Sequence, residues 1–396
     1  MWKEKGGAAL RRKEAPTTLD LSGIPLTDVH CHPLSTDYAG VTQAADLQGL
    51  VALGATGTAA YPVFDVEHSF FWQYLLRHLS RYLGCEPTSA AVAAARHAAA
   101  APDYAAYTAR LFTDAGIRHL VVDRGFPLKT LQMSQFQELV PKVGITEIVR
   151  IEWIRGLLTP LHDRFDTFVK AFLDDLKGCI AAGCKGFKSV IAYRTGLAVE
   201  ERPDENAAAR GWDETRRDPA SESKALNDYL FMRAFELARD LKVPFQIHTG
   251  WGARRIVLRY ADPRYLHPFI DREWVRDVTT ILVHGGYPWM GSAATMAALY
   301  PHVYIDVSET IPFINARSGA RLLEVLEAAP YSKVVFGTDG FNVPEVYWIG
   351  AIAGRQAVSE AMAWACDAGI LDEPTAQRAA AMILDENARR LYGIPG

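Results

Sequence analysis

The chain has 396 residues, 49% hydrophobic and 22% charged, with a formal net charge of −4; this balance suits a soluble globular protein with a large core. It leaves no basic footprint for nucleic acid and no polybasic patch for a membrane surface. No stretch approaches the roughly 18 uninterrupted apolar residues of a membrane span, and five cysteines at unrelated spacings do not form a disulfide framework and fit a reducing compartment. The opening MWKEKGGAALRRKEAPTTLD is charged and lacks the apolar run of a signal peptide. The expectation is a cytoplasmic protein whose partner is a small molecule, neither nucleic acid nor membrane. An apolar face on the helices near residues 70–114 would suit a homo-oligomer.

In chain order, β-rich runs with solid hydrophobic centres stand at 24–33 (IPLTDVHCHP), 117–126 (IRHLVVDRGF), 146–154 (TEIVRIEWI) and 184–194 (CKGFKSVIAYR). Four more follow at 243–252 (VPFQIHTGWG), 279–289 (TTILVHGGYPW), 302–310 (HVYIDVSET) and 333–341 (KVVFGTDGF). Such runs read as strands buried on both faces. Helical patterns lie between them, among them RFDTFVKAFLDDLKGCIAAG and SKALNDYLFMRAFELARDLK, each closed by Gly or a basic residue. Strand and helix alternating eight times predict an α/β fold, a (β/α)8 TIM barrel in one domain over 1–396. An open doubly wound sheet is the alternative, but no Gly-rich phosphate loop follows the first strand.

Two connections are longer than simple βα loops. The first, about 35–116, carries three helical stretches and is read as a helical cap inserted after strand 1. Its GATGTAAYPVF (54–64) is the one place where a ninth strand competes. The second, 195–223, is polar and charged and is read as a loop. Helices over about 350–396 close the chain, with PTAQRAAAMILDENARRLYG as an amphipathic helix ending at Gly.

The strand ends hold the chemistry. In TDVHCHP, strict alternation places Asp28, His30 and His32 on one face and Val29 and Cys31 on the other. Strand 4 contributes Lys188, strand 5 His248, strand 6 His284 and strand 8 Asp339. In a barrel, polar residues at the C-terminal strand ends face one active site. Neutral imidazoles with a carboxylate suit Zn2+ or a similar divalent ion, with Mn2+ and Fe2+ as alternatives. Arg194, Trp251, Tyr287 and His68 are candidate substrate contacts; Arg124 and Glu152 lie near other strand ends; for each, packing or a local ion pair is an equal alternative. Cys31 reads as core packing, and Asp28 as a group supporting the ligands.

DVHCHP, PFQIHTG, ILVHGG and VVFGTDG in this order resemble the amidohydrolase superfamily over nearly the whole chain. GFKSVIAYRTGL and the insertion after strand 1 are similar to its amidohydrolase-related branch (amidohydrolase 2, FluG-like). The resemblance implies that His30, His32 and Asp339 bind the more buried metal, with His248 a further ligand. His284 would bind a second metal or act as base and substrate contact. Lys188 would be either a carboxylated, metal-bridging ligand or an ammonium at the pocket wall. The implied activity is metal-dependent hydrolysis of a C–N (amide-type) bond in a small, carboxylate-bearing substrate by metal-bound hydroxide, with Asp339 and His284 catalytic. A metal-dependent decarboxylase or a uronate-isomerase-like enzyme is the alternative on the same site.

Overall fold

The computed structural model describes residues 18–34, 41, 43–52, 63–125, 132–253 and 255–396. Its strands are β1 (Leu26–Cys31), β2 (Ile117–Asp123), β3 (Gly144–Arg150), β4 (Phe187–Ser189), β5 (Phe245–His248), β6 (Thr280–Val283), β7 (Val303–Asp306) and β8 (Val334–Val335). All pair in parallel, in sequence order. Each expected run meets one strand; β3 begins at Gly144, ahead of its run at 146–154, and residues 151–154 of that run fold as helix. The segment after β8 completes the circle: Val29 N donates to Phe336 O at 3.0 Å, Asp339 N to His30 O at 3.0 Å and His32 N to Gly340 O at 2.7 Å. The result is a (β/α)8 barrel. The possible ninth strand lies, at 54–62, outside the described residues, and Val63 and Phe64 begin a helix.

Side-chain alternation sorts the strands into two faces. Leu120, Val122, Val149, Phe187, Phe245, Ile247, Leu282 and Ile305 join the large core that the helices cover. Val29, Val121, Ile148, Ile281, Val283 and Val335 form a second cluster inside the barrel, closed from below by Ala388 and Tyr392. Gln246 donates there to Val29 O (2.9 Å) and Tyr392 Oη (2.7 Å), so its buried amide donors are partnered. The expected alternation along β1 is corrected: its register against β2 shifts between Asp28 and Cys31. A bulge of this kind re-aims side chains. Val29 therefore turns inward, Asp28 turns toward the segment after β8, and Cys31 stays in the outer core.

Among the described residues, five helices lie between β1 and β2: α1 (Ala44–Val51), α2 (Val63–Glu67), α3 (Phe70–Leu83), α4 (Ser89–Ala100) and α5 (Tyr104–Asp114). Ser69, Thr88 and Asp103 cap α3, α4 and α5 through their side-chain oxygens, satisfying amides that have no partner in the helix. α6 (Met133–Leu139) follows β2; α7 (Ile151–Leu158) and α8 (Phe165–Ala181) follow β3; α9 (Glu205–Arg217) and α10 (Lys224–Leu241) follow β4. α11 (His267–Ile270), α12 (Met290–Leu299), α13 (Thr310–Phe313) and α14 (Ser318–Leu326) precede β8, and α15 (Pro344–Asp367), α16 (Glu373–Ala381) and α17 (Asn387–Tyr392) follow it. The loop expected at 195–223 contains α9, which Asp204 caps; Ala208, Trp212 and Thr215 form a buried stripe on an otherwise charged helix. The terminal helices begin at Pro344, earlier than about 350. No described helix is long and apolar enough to cross a membrane.

The inserted helices are held to the barrel by a buried ion pair. Arg96 Nε of α4 donates to Glu345 Oε1 at 2.7 Å, and Tyr107 Oη of α5 donates to the same oxygen at 2.8 Å. Glu345 sits in the first turn of α15, where the helix dipole also favours a carboxylate. Truncating one partner strands the other charge without water. Arg96→Met is expected to destabilise the protein by about 3–5 kcal/mol, measured by urea unfolding, and the double variant Arg96→Met/Glu345→Leu by less than the single one.

Candidate metal centre

His30, His32 and Asp339 meet where β1 faces the end of β8. The Nε2 atoms of His30 and His32 each lie 3.4 Å from Asp339 Oδ1. Asp28 makes this juxtaposition: its Oδ1 accepts from His30 N (3.1 Å) and Thr338 N (3.0 Å), and its Oδ2 from Thr338 Oγ1. Gly337 permits the approach, since a Cβ there would stand 2.9 Å from both Asp28 Oδ1 and His30 N. His32 Nδ1 lies 3.0 Å from Asp123 O. A carbonyl only accepts, so Nδ1 carries the proton and Nε2 keeps its lone pair for the site.

His248, His284 and Glu309 form a second buried group, whose candidate ligand atoms lie within 4.8 Å of one another; those of His30, His32 and Asp339 do the same. The His248 and His284 ring centroids are 4.5 Å apart, and those of His30 and His284 5.3 Å, so the groups adjoin. His248 Nε2 faces Trp251 O at 3.1 Å, which puts the proton on Nε2 and leaves Nδ1 free to ligate. His284 Nδ1 lies 3.0 Å from Ser308 Oγ, which also bonds Asp306 Oδ2. The single Ser308 proton, given to Asp306, leaves its oxygen to accept from His284 Nδ1–H, and the lone pair then sits on Nε2. Glu309 Oε2 is 3.4 Å from His284 Nδ1. His284, Glu309 and Asp339 all hold positive φ (71°, 56° and 51°), which costs on the order of 1–3 kcal/mol for each non-glycine residue and collects at functional sites.

Lys188 lies under both groups, with Nζ 3.4 Å from His30 Nε2. Burial pulls its ammonium down to about 8, against the opposing field of Asp123. Burial, and next the charge of Lys188, hold His30 and His248 well below the ordinary imidazole value; for His284, burial is followed by His248. Burial also pushes Asp28 up to about 8 and Asp306 up to about 7, and Glu309 well above the carboxylate range. Burial would raise Asp123 too, but Arg150, which donates to Asp123 Oδ2 from Nε at 2.9 Å and from Nη2 at 2.5 Å, holds it below the usual value.

This donor set fits a divalent cation. Burial favours the neutral form of His30, His248 and His284, and His30 Nδ1 and Asp339 Oδ1 are buried polar atoms without a hydrogen-bond partner. Among the described residues, five buried carboxylates (Asp28, Asp123, Asp306, Glu309, Asp339) collect here with Lys188 and Arg150. Burial pushes three of them toward their protonated forms, and a bound cation would favour the ionised forms that ligate it.

The structure thus brings together His30, His32, Lys188, His248, His284 and Asp339. The peripheral candidates fare differently. Arg194 donates to Glu222 Oε1 at 2.9 Å, and Arg155 holds the same carboxylate, so Arg194 is a loop tie rather than an open carboxylate clamp. His68 sits exposed in the turn between α2 and α3. Trp251 and Tyr287 pair at 6.2 Å between ring centroids, with the Arg321 guanidinium over Tyr287; Trp251 alone of the two lines a neighbouring groove. Arg124 pairs with Glu147. Glu152 belongs to α7, not to a strand end, and accepts from Ser189 Oγ and Val190 N, bracing the end of β4 beyond Lys188. Sequence reasoning passed over Glu309, Asp306, Ser308, Asp123 and Arg150. The signal for Glu309 was the acidic end of HVYIDVSET, the strand run from which no residue was drawn.

The sequence and the fold are similar to those of known proteins. Protein fluG of Emericella nidulans is 34% identical over 220 residues, 52% of this chain. The matched segment covers 25% of that protein, so the chain matches only part of its length. A protein of Lactobacillus casei ATCC 334, provisionally named a metal-dependent hydrolase, superposes with a TM-score of 0.84 at 25% identity, covering 94% of this chain and 96% of its own. Uronate isomerase of Thermotoga maritima has a TM-score of 0.64 at 14% identity over 93% and 95% of the two chains, a likeness of fold alone. The amidohydrolase family profile matches residues 154–394, more than half of the sequence, and the chain belongs to the amidohydrolase family.

Proposed function

We propose that the chain is a metal-dependent hydrolase that cleaves the C–N bond of an amide-type small molecule, with Zn2+ the first choice of metal and Mn2+ or Fe2+ possible substitutes. The observation that carries this reading is the meeting of two three-residue ligand groups, four histidines and two carboxylates, above a buried lysine. His30, His32 and Asp339 would hold one cation, and His248, His284 and Glu309 a second. A divalent ion supplies Lewis acidity, polarising a carbonyl and making water acidic enough to ionise near neutral pH.

The residues of the chain do the rest. Asp339 presents Oδ1 to the two histidines, which leaves Oδ2 to take a proton from the attacking water and return it to the departing nitrogen. The Asp306–Ser308 pair holds the His284 ring and its tautomer, so His284 offers a lone pair as ligand or base. A role as an oxyanion donor would need an N–H at that position. Lys188 stands one contact from His30, and an ammonium there would repel a cation held by that histidine. Its burial favours the neutral amine, the form that adds carbon dioxide, and carboxylation would turn the repulsion into attraction. Arg194, a candidate substrate contact, is already held by Glu222, so the proposal places no substrate carboxylate there. A decarboxylase or isomerase gripping its substrate through Arg194 loses the same support.

Four variants test this reading. His30→Ala is expected to reduce bound divalent metal from stoichiometric to background, read by elemental mass spectrometry, and to abolish turnover on an amide library; retained metal and activity would sink it. Asp339→Asn should lower kcat by about 10²–10⁴-fold, while Ser308→Ala, acting through His284, should weaken metal affinity by about 10–100-fold. In Lys188→Ala, added propionate should restore metal binding and turnover where ethylamine does not; the reverse would assign Lys188 as an ammonium.

A further inference from the structure

Tyr193 closes the short turn Ile191–Tyr193 that leaves the end of β4, the strand that carries Lys188. Its ring leans on His248, with 4.6 Å between centroids and 58° between the planes. The hydroxyl meets the loop after β5, where Oη accepts from Ala253 N at 2.6 Å. Gly252 leaves the room for it: a Cβ there would stand 2.0 Å from Tyr193 Oη and 2.9 Å from His248 Nε2. The phenol and the candidate ligand His248 thus meet across a glycine, at the edge of the second ligand group.

A hydroxyl that accepts one hydrogen bond still has a proton to give. Among the described residues, no acceptor takes the Tyr193 proton, although its oxygen is held in place. Other donors of the centre are committed. Those of His32, His248 and His284 go to Asp123 O, Trp251 O and Ser308 Oγ, that of Ser308 goes to Asp306, and Arg150 donates to Asp123. An ordinary phenol, with a pKa of about 10, keeps its proton at neutral pH. Burial first, then the charges of Glu309 and Asp339, push Tyr193 higher still, against the Ala253 N–H. The hydroxyl therefore feels one carboxylate from each ligand group, and the bond from Ala253 N polarises its O–H as a donor.

We propose that Tyr193 is a catalytic residue: its Oη–H donates to the carbonyl oxygen of the scissile amide and stays on that oxygen as it becomes an oxyanion. When the water oxygen bonds to the carbonyl carbon, the π pair moves onto the carbonyl oxygen and a water proton passes to Asp339 Oδ2. When the pair returns, the C–N bond breaks and the departing nitrogen takes that proton from Asp339. Tyr193 keeps its own proton throughout. It supplies the donor that His284, offering a lone pair, does not. This inference rests on the metal-dependent hydrolase reading above.

The test uses methylphosphonate, whose tetrahedral anionic oxygens imitate the oxyanion, and azide, an anion with no such oxygen. Both are titrated calorimetrically into the full Zn2+-loaded chain, whose zinc content is read by elemental mass spectrometry. Tyr193→Phe is expected to weaken methylphosphonate binding about 10–100-fold, the effect of one hydrogen bond to a charged group. Azide affinity and zinc content should stay in place. Should that variant fail to fold, 4-fluorophenylalanine at position 193 gives the same comparison, because it fills the place of the hydroxyl without a proton. Methylphosphonate bound equally by wild type and variant, or by neither, would overturn the role of Tyr193. A parallel loss of azide affinity or zinc would make the residue a structural support of His248 and overturn it too. A wild type that holds no zinc would instead overturn the metal-dependent reading, and this inference with it.

Discussion

The site depends on one contact, the clasp of Asp28 on the segment that follows β8. A parallel barrel closes only if its last strand finds its first. Here the closing edge is short, because β8 is a two-residue ladder before the chain leaves for the loop. Asp28 compensates by accepting from two backbone amides, one on each side of the seam, and from the Thr338 hydroxyl. The seam is also the place where His30 and His32 face Asp339. Closure of the fold and assembly of the first ligand group are thus the same event, and the small residue at Gly337 is what lets the two backbones meet.

Around that seam the protein concentrates ionisable groups whose charging burial opposes. Carboxylates from β1, β2, β7 and the turns after β7 and β8 converge, and Arg150 is already committed to Asp123. Burial alone pushes Asp28, Asp306 and Glu309 toward their protonated forms. The same region stores backbone strain at His284, Glu309 and Asp339. Neither feature stabilises an empty barrel. Both are accounted for when cations are the missing component: cations favour ionised carboxylates, and left-handed residues at the strand ends turn ligand side chains back over the pocket.

The elements beyond the barrel divide the remaining work. The C-terminal helix plugs the lower interior through Tyr392 and Gln246, so the strands are filled from below by packed side chains rather than water. The inserted helices are anchored through Arg96 to the first turn of α15, and Phe71 of α3 stacks on Phe313 of α13. The candidate ligands stand at the strand ends, while the insertion and the loop after β7 are parts a barrel can vary without disturbing its core.

Much of this was legible in the chain itself. Strand periodicity identified all eight strands, because strands buried on both faces must be apolar through their centres. The residues at their ends, His30, His32, Lys188, His248, His284 and Asp339, were legible because strand ends of a barrel share one rim. Other features depend on pairings between distant residues, which no local pattern encodes. The bulge that turns Asp28 toward β8 arises from register against a neighbouring strand, and strict alternation misassigned it. Arg194 looked like an open cation until the fold brought Glu222 against it from 28 residues away. Glu309 stood unmarked at the acidic end of the run at 302–310 until its left-handed backbone set it beside His284. The sequence by itself determined which chemical groups the barrel rim carries, through hydrophobic periodicity and position. Only tertiary structure decided which of those groups face one another and which are already neutralised, because hydrogen bonds and ion pairs are properties of distance in space.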